Sequence, residues 1–329
     1  MKYPRLLCCT LFLTLLRDAH VEAQPNKLPR LPAAALLVGY HSLLLGRASQ
    51  FLAVATPREL VMVLPELGQR ESGDGTPVYP SISSDGTVVA CLRVKPETRS
   101  RVVVATYFVP DKRWIDYDEA DHVYGVAISP DKSQLAFVST AREGDPARLY
   151  VLNTKAGASR ALASEHISID SAPSWSPDGS RIAYQVYRSI GGPTYESAID
   201  VADVATGSTR RLGNGQNPAW SPSGEWIAYL DSSGTWPVTM KCLAAHPDGT
   251  GEQVLYAFPR GHAFFGQRYF TYAPVWSPDS KKLLLNERLE GDEPVVNERM
   301  KIHLLDFATH KLTTKFRHTP PVLGWAVWK

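Results

Sequence analysis

The sequence has few cysteines, which limits how far disulfides can shape the fold. Cys8 and Cys9 fall in the apolar start of the chain, so only Cys91 and Cys242 remain in the rest. Cys91 occupies an apolar strand position, and Cys242 lies in a different repeat, several strands away. A disulfide would be expected in an oxidising compartment. The distance in sequence favours the simpler prediction, two separate buried thiols.

An excess of basic charge is also missing, and so are the common catalytic motifs. The chain carries 35 Lys and Arg against 33 Asp and Glu, a net charge of +2, without an evident basic stripe. We therefore expect no nucleic-acid partner. No Gly-x-Ser-x-Gly, His-Glu-x-x-His, Gly-x-x-x-x-Gly-Lys or Cys-x-x-Cys occurs, and these are the usual sequence marks of nucleophilic, metal and phosphate sites.

Long apolar runs are absent apart from a short one at the start. Lys2 and Arg5 precede the apolar run Leu6 to Leu16, and Val21-Glu22-Ala23 has the small-x-small form of a cleavage site. We predict a signal peptide over residues 1–23, export to the periplasm or the outside, and no membrane span in the mature chain. The run is shorter than the ~20 residues that a span needs, although an uncleaved anchor remains the alternative.

One short stretch, Pro173 to Tyr184, predicts a strand, a tight turn and a second strand. Ser-Pro-Asp-Gly suits a turn because Pro presets φ, Asp bonds back to the backbone and Gly tolerates positive φ. Similar stretches place turn residues at 85, 131, 178, 223 and 279, in steps of 46, 47, 45 and 56. A period in that range, built from short strands, predicts a β-propeller.

A second hairpin follows each of these turns, for example Leu149–Leu162 and Ile199–Leu212. Five first hairpins and six second hairpins predict an all-β fold, a six-bladed propeller of four-stranded antiparallel blades. Trp325 lies 49 residues after Trp276, so we expect the C-terminal strand to pair with the strand at 51–55 in the N-terminal blade and close the ring. Alternatively, residues 33–50 supply that innermost strand. The predicted domains are a Pro-rich lead-in at 24–50 and a propeller at 51–329.

The motif Pro-x-Trp-Ser-Pro-Asp-Gly followed by Ile-Ala-Tyr or Ile-Ala-Phe resembles the repeat of TolB-type β-propellers. Five full or partial copies cover about residues 78 to 290. The resemblance implies the fold, and it leaves function open because this repeat serves binding proteins, peptidase accessory domains and a few lyases. TolB itself carries another domain ahead of its propeller. Here we expect a propeller alone, without that domain or an appended hydrolase domain, which weakens the implied partner role.

The repeated tryptophans Trp175, Trp220 and Trp276 are predicted to fill the space between neighbouring blades rather than to stack on a ligand. The segments that lead into each first strand should instead converge on one mouth of the central channel. Our candidate ligand- or partner-binding residues in these segments are Asp116, Asp121, His122, His166, Asp170, Arg260, His262, Phe264, Phe265, Arg268 and Tyr269.

Histidines and acids at this mouth have the chemistry of metal ligands. However, His122, His166 and His262 precede their turn residues by 9, 12 and 17 positions, and such unequal offsets disfavour one metal-binding ring. We therefore expect no cofactor, with a divalent metal as the alternative. The acidic segment Glu287–Glu298 is predicted to be a loop excursion.

The hypothesis from sequence is a monomeric, non-catalytic scaffold that binds an envelope protein or a small or saccharide ligand. The first alternative is a metal-assisted carbohydrate lyase or hydrolase with its site at the channel mouth. The second is a structural envelope protein whose ring only spaces other components.

Overall fold

The computed structural model describes residues 34–44, 47–55, 60–64, 80–94, 102–117, 123–140, 145–163, 167, 171–191, 194–231, 240–258, 272–288, 300–319 and 322–327. The regular secondary structure within these ranges is β-strand. No helix among them is long and apolar enough to cross a membrane.

The strands are short and numerous, as the turn spacing predicts. In chain order they are β1 (Ala34–Leu44), β2 (Arg47–Ala55), β3 (Leu60–Leu64), β4 (Ser81–Ile82), β5 (Val88–Val94), β6 (Val102–Phe108), β7 (Arg113–Tyr117), β8 (Val123–Ile128), β9 (Gln134–Ser139), β10 (Arg148–Asn153), β11 (Ser159–Ala163), β12 (Ser174–Trp175), β13 (Arg181–Gly191), β14 (Thr194–Asp203), β15 (Thr209–Asn214), β16 (Gln216–Trp220), β17 (Ile227–Asp231), β18 (Lys241–Ala245), β19 (Gln253–Ala257), β20 (Val275–Trp276), β21 (Lys282–Arg288), β22 (Met300–Asp306), β23 (Leu312–Thr319) and β24 (Val322–Val327).

These strands pair antiparallel in four-stranded sheets. Five sheets each use four consecutive strands, namely β4–β7, β8–β11, β12–β15, β16–β19 and β20–β23, and a further sheet has the order β24-β1-β2-β3. The first strands of successive sheets contact one another, and β24 contacts both β20 and β4. The predicted class, an all-β propeller of four-stranded antiparallel blades, is confirmed.

The sheet that joins the two ends of the chain differs in detail from the prediction. β24 pairs with β1, with Leu36 opposite Trp325, and not with the strand at 51–55. That strand is part of β2, which pairs with β1 from Leu36↔Ala55 to Leu44↔Arg47. The sheet therefore begins at Ala34 rather than at residue 51, and residues 34–44 supply its second strand, not its innermost one. The residues between β1 and β2 are Leu45 and Gly46, and a lone glycine without Pro, Asn or Asp beside it is too weak a turn signal to separate the two strands.

The Ser-Pro-Asp turns are held by the same hydrogen bonds in several sheets. The Ser176 N–H donates to the Arg181 carbonyl at 2.9 Å, and the Arg181 N–H donates to Ser176 Oγ at 2.9 Å. Ser176 Oγ in turn donates to Asp178 Oδ1 at 2.6 Å. Gly179 follows with φ of 72°, a conformation that glycine adopts at no steric cost. Ser176 therefore bonds to the backbone groups of Arg181 at the end of the hairpin, and Asp178 holds the Ser176 hydroxyl in position.

The hydrophobic core lies between neighbouring sheets. Val138 and Leu149 of one sheet pack in a cluster with Ile182 and Tyr184 of the next. Burying such side chains stabilises by roughly 1.5–3 kcal/mol each, so adjacent sheets depend on each other for their cores. Cys91 of β5 and Cys242 of β18 are both buried and lie in different sheets, which agrees with the prediction of two separate buried thiols.

We expect Gly125→Ala to destabilise the fold by about 1–3 kcal/mol, the usual cost of overpacking. A Cβ at Gly125 in β8 would lie 2.7 Å from both Ala172 Cα and the Ser171 carbonyl oxygen, which are backbone atoms that cannot move aside. Urea unfolding measures the change. The matched control is Gly213→Ala in β15, where the nearest atoms lie at 3.6 Å and stability should change little. Equal effects of the two substitutions would contradict this packing.

We expect the turn aspartates to make stability depend on acid pH. Hydrogen bonds, first that of Ser176 and then that of the Ser180 N–H, lower the pKa of Asp178 to about 2. A lowered folded-state pKa adds stability above the unfolded value of about 3.9 and loses it as pH falls toward 2. Thermal melts of Asp178→Asn should therefore lie below the parent at pH 6, and the gap should close toward pH 2. An equal gap between the variant and the parent at pH 6 and at pH 2 would contradict this role of the Asp178 carboxylate.

Candidate functional site: the central channel and its mouth

The first strands of the sheets surround a central cavity of about 460 Å³. It is lined by residues of β4, β8, β12, β16, β20 and β24 and their flanking segments, and none of the described residues in this lining carries a charge. The volume falls in the range of roughly 300–1,000 Å³ that small-molecule sites occupy. The channel therefore presents hydroxyl groups and apolar surface to a ligand, in a cavity of defined shape.

Small residues and prolines make this lining possible. Ala127, Ser174, Ala219 and Gly324 stand at positions on the inner strands that face the cavity, and short side chains allow these strands to approach one another. A proline stands just before three of the inner strands, at 80, 173 and 274, and another lies within β16, at 218. Because proline has no N–H, these residues leave no unpaired donor at the exposed inner edge.

Hydrogen bonds between neighbouring inner strands hold the channel wall. Ser81 Oγ accepts from the Ile128 N–H at 3.2 Å, and Ser174 Oγ accepts from the Trp220 N–H at 2.9 Å. These bonds join sheets that are adjacent around the ring. They satisfy backbone donors that the antiparallel ladder within each sheet cannot reach.

The repeated tryptophans form part of the channel wall. Trp175 Nε1 donates to the Ala127 carbonyl at 3.1 Å, and Trp276 Nε1 donates to the Ala219 carbonyl at 2.9 Å. Trp220 donates instead to Gly224 in its own turn at 3.3 Å. All three are less than a tenth exposed, as expected for side chains that fill the space between blades, and all three residues also line the cavity.

A group of polar contacts lies where β15 passes directly into β16 through Gly215. Asn217 lines the channel in the left-handed region with φ of 55°, a conformation that asparagine tolerates better than most residues. Its N–H donates to Gln185 Oε1 at 3.1 Å, and Gln185 Nε2 donates to Ser197 Oγ at 2.8 Å. Gln185 is 3% exposed, so this buried amide fixes the backbone at the channel wall.

The structure describes one of the eleven candidate residues proposed from sequence. Asp116 is half-buried in β7, the fourth strand of its sheet, opposite Ala105 of β6. The remaining candidates lie outside the described residues: Asp121, His122, His166, Asp170, Arg260, His262, Phe264, Phe265, Arg268 and Tyr269. The convergence of these side chains on the channel mouth stays a prediction. Among the residues that the structure describes, no three His, Cys, Asp or Glu side chains are grouped as metal ligands.

A buried ionisable network was not anticipated from the sequence. Glu287, predicted to start an acidic loop, instead lies within β21, which extends to Arg288. Its carboxylate contacts His303 of β22 and lies 3.6 Å from Lys301 Nζ. The alternation of Leu283, Leu285 and Glu287 on one strand face is the pattern that could have extended the strand prediction to include it.

The TolB β-propeller domain model matches residues 72–257, more than half of the chain. The chain belongs to the TolB β-propeller domain family. The match covers β4 to β19, which are the sheets with the regular Ser-Pro-Asp spacing.

Known proteins that resemble this chain agree on the fold and differ in function. TolB from Acinetobacter baumannii superimposes with a TM-score of 0.64 at 14% identity, covering 95% of this chain and 71% of that protein. An oligogalacturonate lyase in complex with manganese gives a TM-score of 0.51 at 12% identity, covering 85% of this chain and 73% of the lyase. At these identities the likeness shows the fold alone.

A sequence relative is the uncharacterized peptidase YuxL of Bacillus subtilis strain 168. It is 29% identical over 136 residues, which is 31% of this chain and 20% of the relative. The matched region thus spans about a fifth of the peptidase.

Proposed function

We propose that the chain is an exported, non-catalytic binding module that holds a protein or a small or saccharide ligand at one mouth of its channel. The observation that supports this most is the cavity of about 460 Å³ whose described lining is uncharged. Such a wall suits recognition through shape and neutral contacts. General acid–base chemistry needs ionisable groups within hydrogen-bond reach of the reacting atoms.

A closed ring of six blades is part of this proposal. The sheet of β24 and β1–β3 takes the place of the sixth blade, because β24 contacts the first strands on both sides, β20 and β4. A closed ring supplies a rigid frame on which variable loops can be mounted, the usual division between scaffold and function.

The segment 259–272, which joins β19 to β20, is the proposed centre of recognition. It carries Phe264, Phe265 and Tyr269 beside Arg260 and Arg268, and aromatic and arginine side chains dominate binding energy at protein interfaces. Asp121, His122, His166 and Asp170 belong to the segments that lead into the β8 and β12 sheets and would face the same mouth, and Asp116 lies in β7, ahead of the first of these segments.

Export through the apolar N-terminal segment is the proposed route to the partner. Lys2 and Arg5 ahead of Leu6 to Leu16 fit a cleaved leader. The proposed location is the periplasm or the outside of the cell, where an envelope protein or a saccharide would meet the channel mouth.

Replacing Phe264 and Phe265 by alanine should weaken partner capture at least about tenfold without unfolding the protein, because an interface anchor commonly contributes 2 kcal/mol or more. Cross-linked capture from envelope extracts, compared between variants, measures this. The control is Val254→Ala in β19, which removes an exposed apolar side chain, 47% exposed, outside the proposed mouth. Undiminished capture by the double variant would exclude this segment as the binding centre.

A metal-assisted carbohydrate lyase or hydrolase is the second candidate, and the oligogalacturonate lyase of the same fold is the observation that favours it. It would place His166 and His262 at the mouth as metal ligands. This candidate predicts one equivalent of manganese, zinc or calcium in protein purified without chelators. Elemental analysis tests it, with His166→Ala and His262→Ala as the matched variants. A metal-free protein that still captures its partner would support the binding module.

A further inference from the structure

Three side chains on neighbouring strands of the β20–β23 sheet form a line that leads from its interior to the surface. His303 of β22 stands directly opposite Leu285 of β21 and Thr314 of β23. Glu287 lies two residues beyond Leu285, so it shares the same sheet face. The pairing register thus places a carboxylate, an imidazole and a hydroxyl side by side.

The contacts follow this order. His303 Nε2 is hydrogen-bonded to Glu287 Oε2, and His303 Nδ1 lies 3.1 Å from Thr314 Oγ1. His303 is 5% exposed and the Glu287 side chain 10%, whereas Thr314 is exposed. Lys301 Nζ, 3.6 Å from the other carboxylate oxygen of Glu287, helps to hold that carboxylate in place.

The direction of these hydrogen bonds follows from their chemistry. An ionised carboxylate only accepts hydrogen bonds, so the Nε2 atom that faces Glu287 carries the hydrogen. In the neutral ring Nδ1 then has a free lone pair, and the Thr314 hydroxyl must donate to it. A hydroxyl that donates to an imidazole, which is itself oriented by a carboxylate, is the arrangement that activates a nucleophile.

We propose that Thr314 is a nucleophile that takes up acyl groups from activated esters, with His303 as its base and Glu287 as the positioning residue. The Thr314 oxygen attacks the acyl carbonyl carbon while its proton passes to His303 Nδ1. The bond to the leaving alkoxide or phenolate breaks, an ester forms on Thr314, and the proton leaves with the departing group or to water. This site is separate from the channel mouth, so it stands independently of the proposed binding function.

Thr313 provides an internal comparison within the same strand. It is also an exposed threonine, but it stands opposite Leu304 and therefore on the other face of the strand from His303. The two hydroxyls differ in their access to the base while sharing residue type and sequence context.

The test is to treat the full chain with p-nitrophenyl acetate and map the acetyl groups by peptide mass spectrometry. Ester on Thr314 should exceed ester on Thr313 at least about tenfold, a cautious bound given that general base catalysis commonly contributes 10²–10⁴-fold. Hydroxylamine should remove this ester and leave any amide on Lys315, and in urea the two threonines should react alike. Equal labelling in the folded protein, or none on Thr314, would overturn the proposal.

Variants distinguish the role of Thr314 as nucleophile from the roles of His303 and Glu287. Thr314→Ser should keep the labelling, and His303→Gln should reduce it to the level of Thr313. Glu287→Gln should do the same, because a glutamine amide donating to Nε2 moves the ring hydrogen to Nδ1, and Nδ1 then donates to Thr314 instead of accepting its proton. Thermal melting checks that each variant is folded. Full labelling in a folded Glu287→Gln or His303→Gln protein would show that the line of contacts does not activate Thr314.

Discussion

The architecture depends on the pairing of β24 with β1, which joins the last described strand to the first. Five sheets are built from consecutive strands, but this one requires Leu36 and Trp325 to meet from opposite ends of the described chain. Without β24, the sheet would lose its inner strand, and β20 and β4 would each lose a neighbour. Contacts so distant in sequence form late and slowly, so the channel is completed only when both ends are in place.

The parts of the fold that the sequence predicts are those set by local chemistry. Ser176, Asp178 and Gly179 fix a hairpin through their own hydrogen bonds, so the repeat is visible without any tertiary information. The boundary between β1 and β2 is not predicted, because a single glycine, Gly46, in an otherwise apolar run gives only a weak turn signal. The sequence predicts a loop at Glu287, because a charged residue in a strand is explained only by its partners on the next strand, here Lys301 and His303.

The candidate site is less predictable than the fold, because it depends on contacts between residues that are distant in the sequence. A loop composition shows which groups are present but does not determine which of them meet, and Asp116 alone of the candidates belongs to a described strand. The channel wall is predictable only in part: the prolines and tryptophans repeat, whereas the support of Asn217 by Gln185 comes from neighbouring sheets. The sequence predicts ionisable groups at the channel mouth. The described structure instead shows Glu287, His303 and Thr314 in contact across strands β21 to β23.

The register of the joined sheet has a consequence for how the chain can be rearranged. Ala34 stands opposite Val327, so the outer ends of β1 and β24 are neighbours in space. A short linker between them would make the polypeptide circular in effect, and it could then be reopened at a tight turn such as the one at Gly179. Such a permuted chain should rebuild the same propeller with all four strands of the reconnected sheet consecutive.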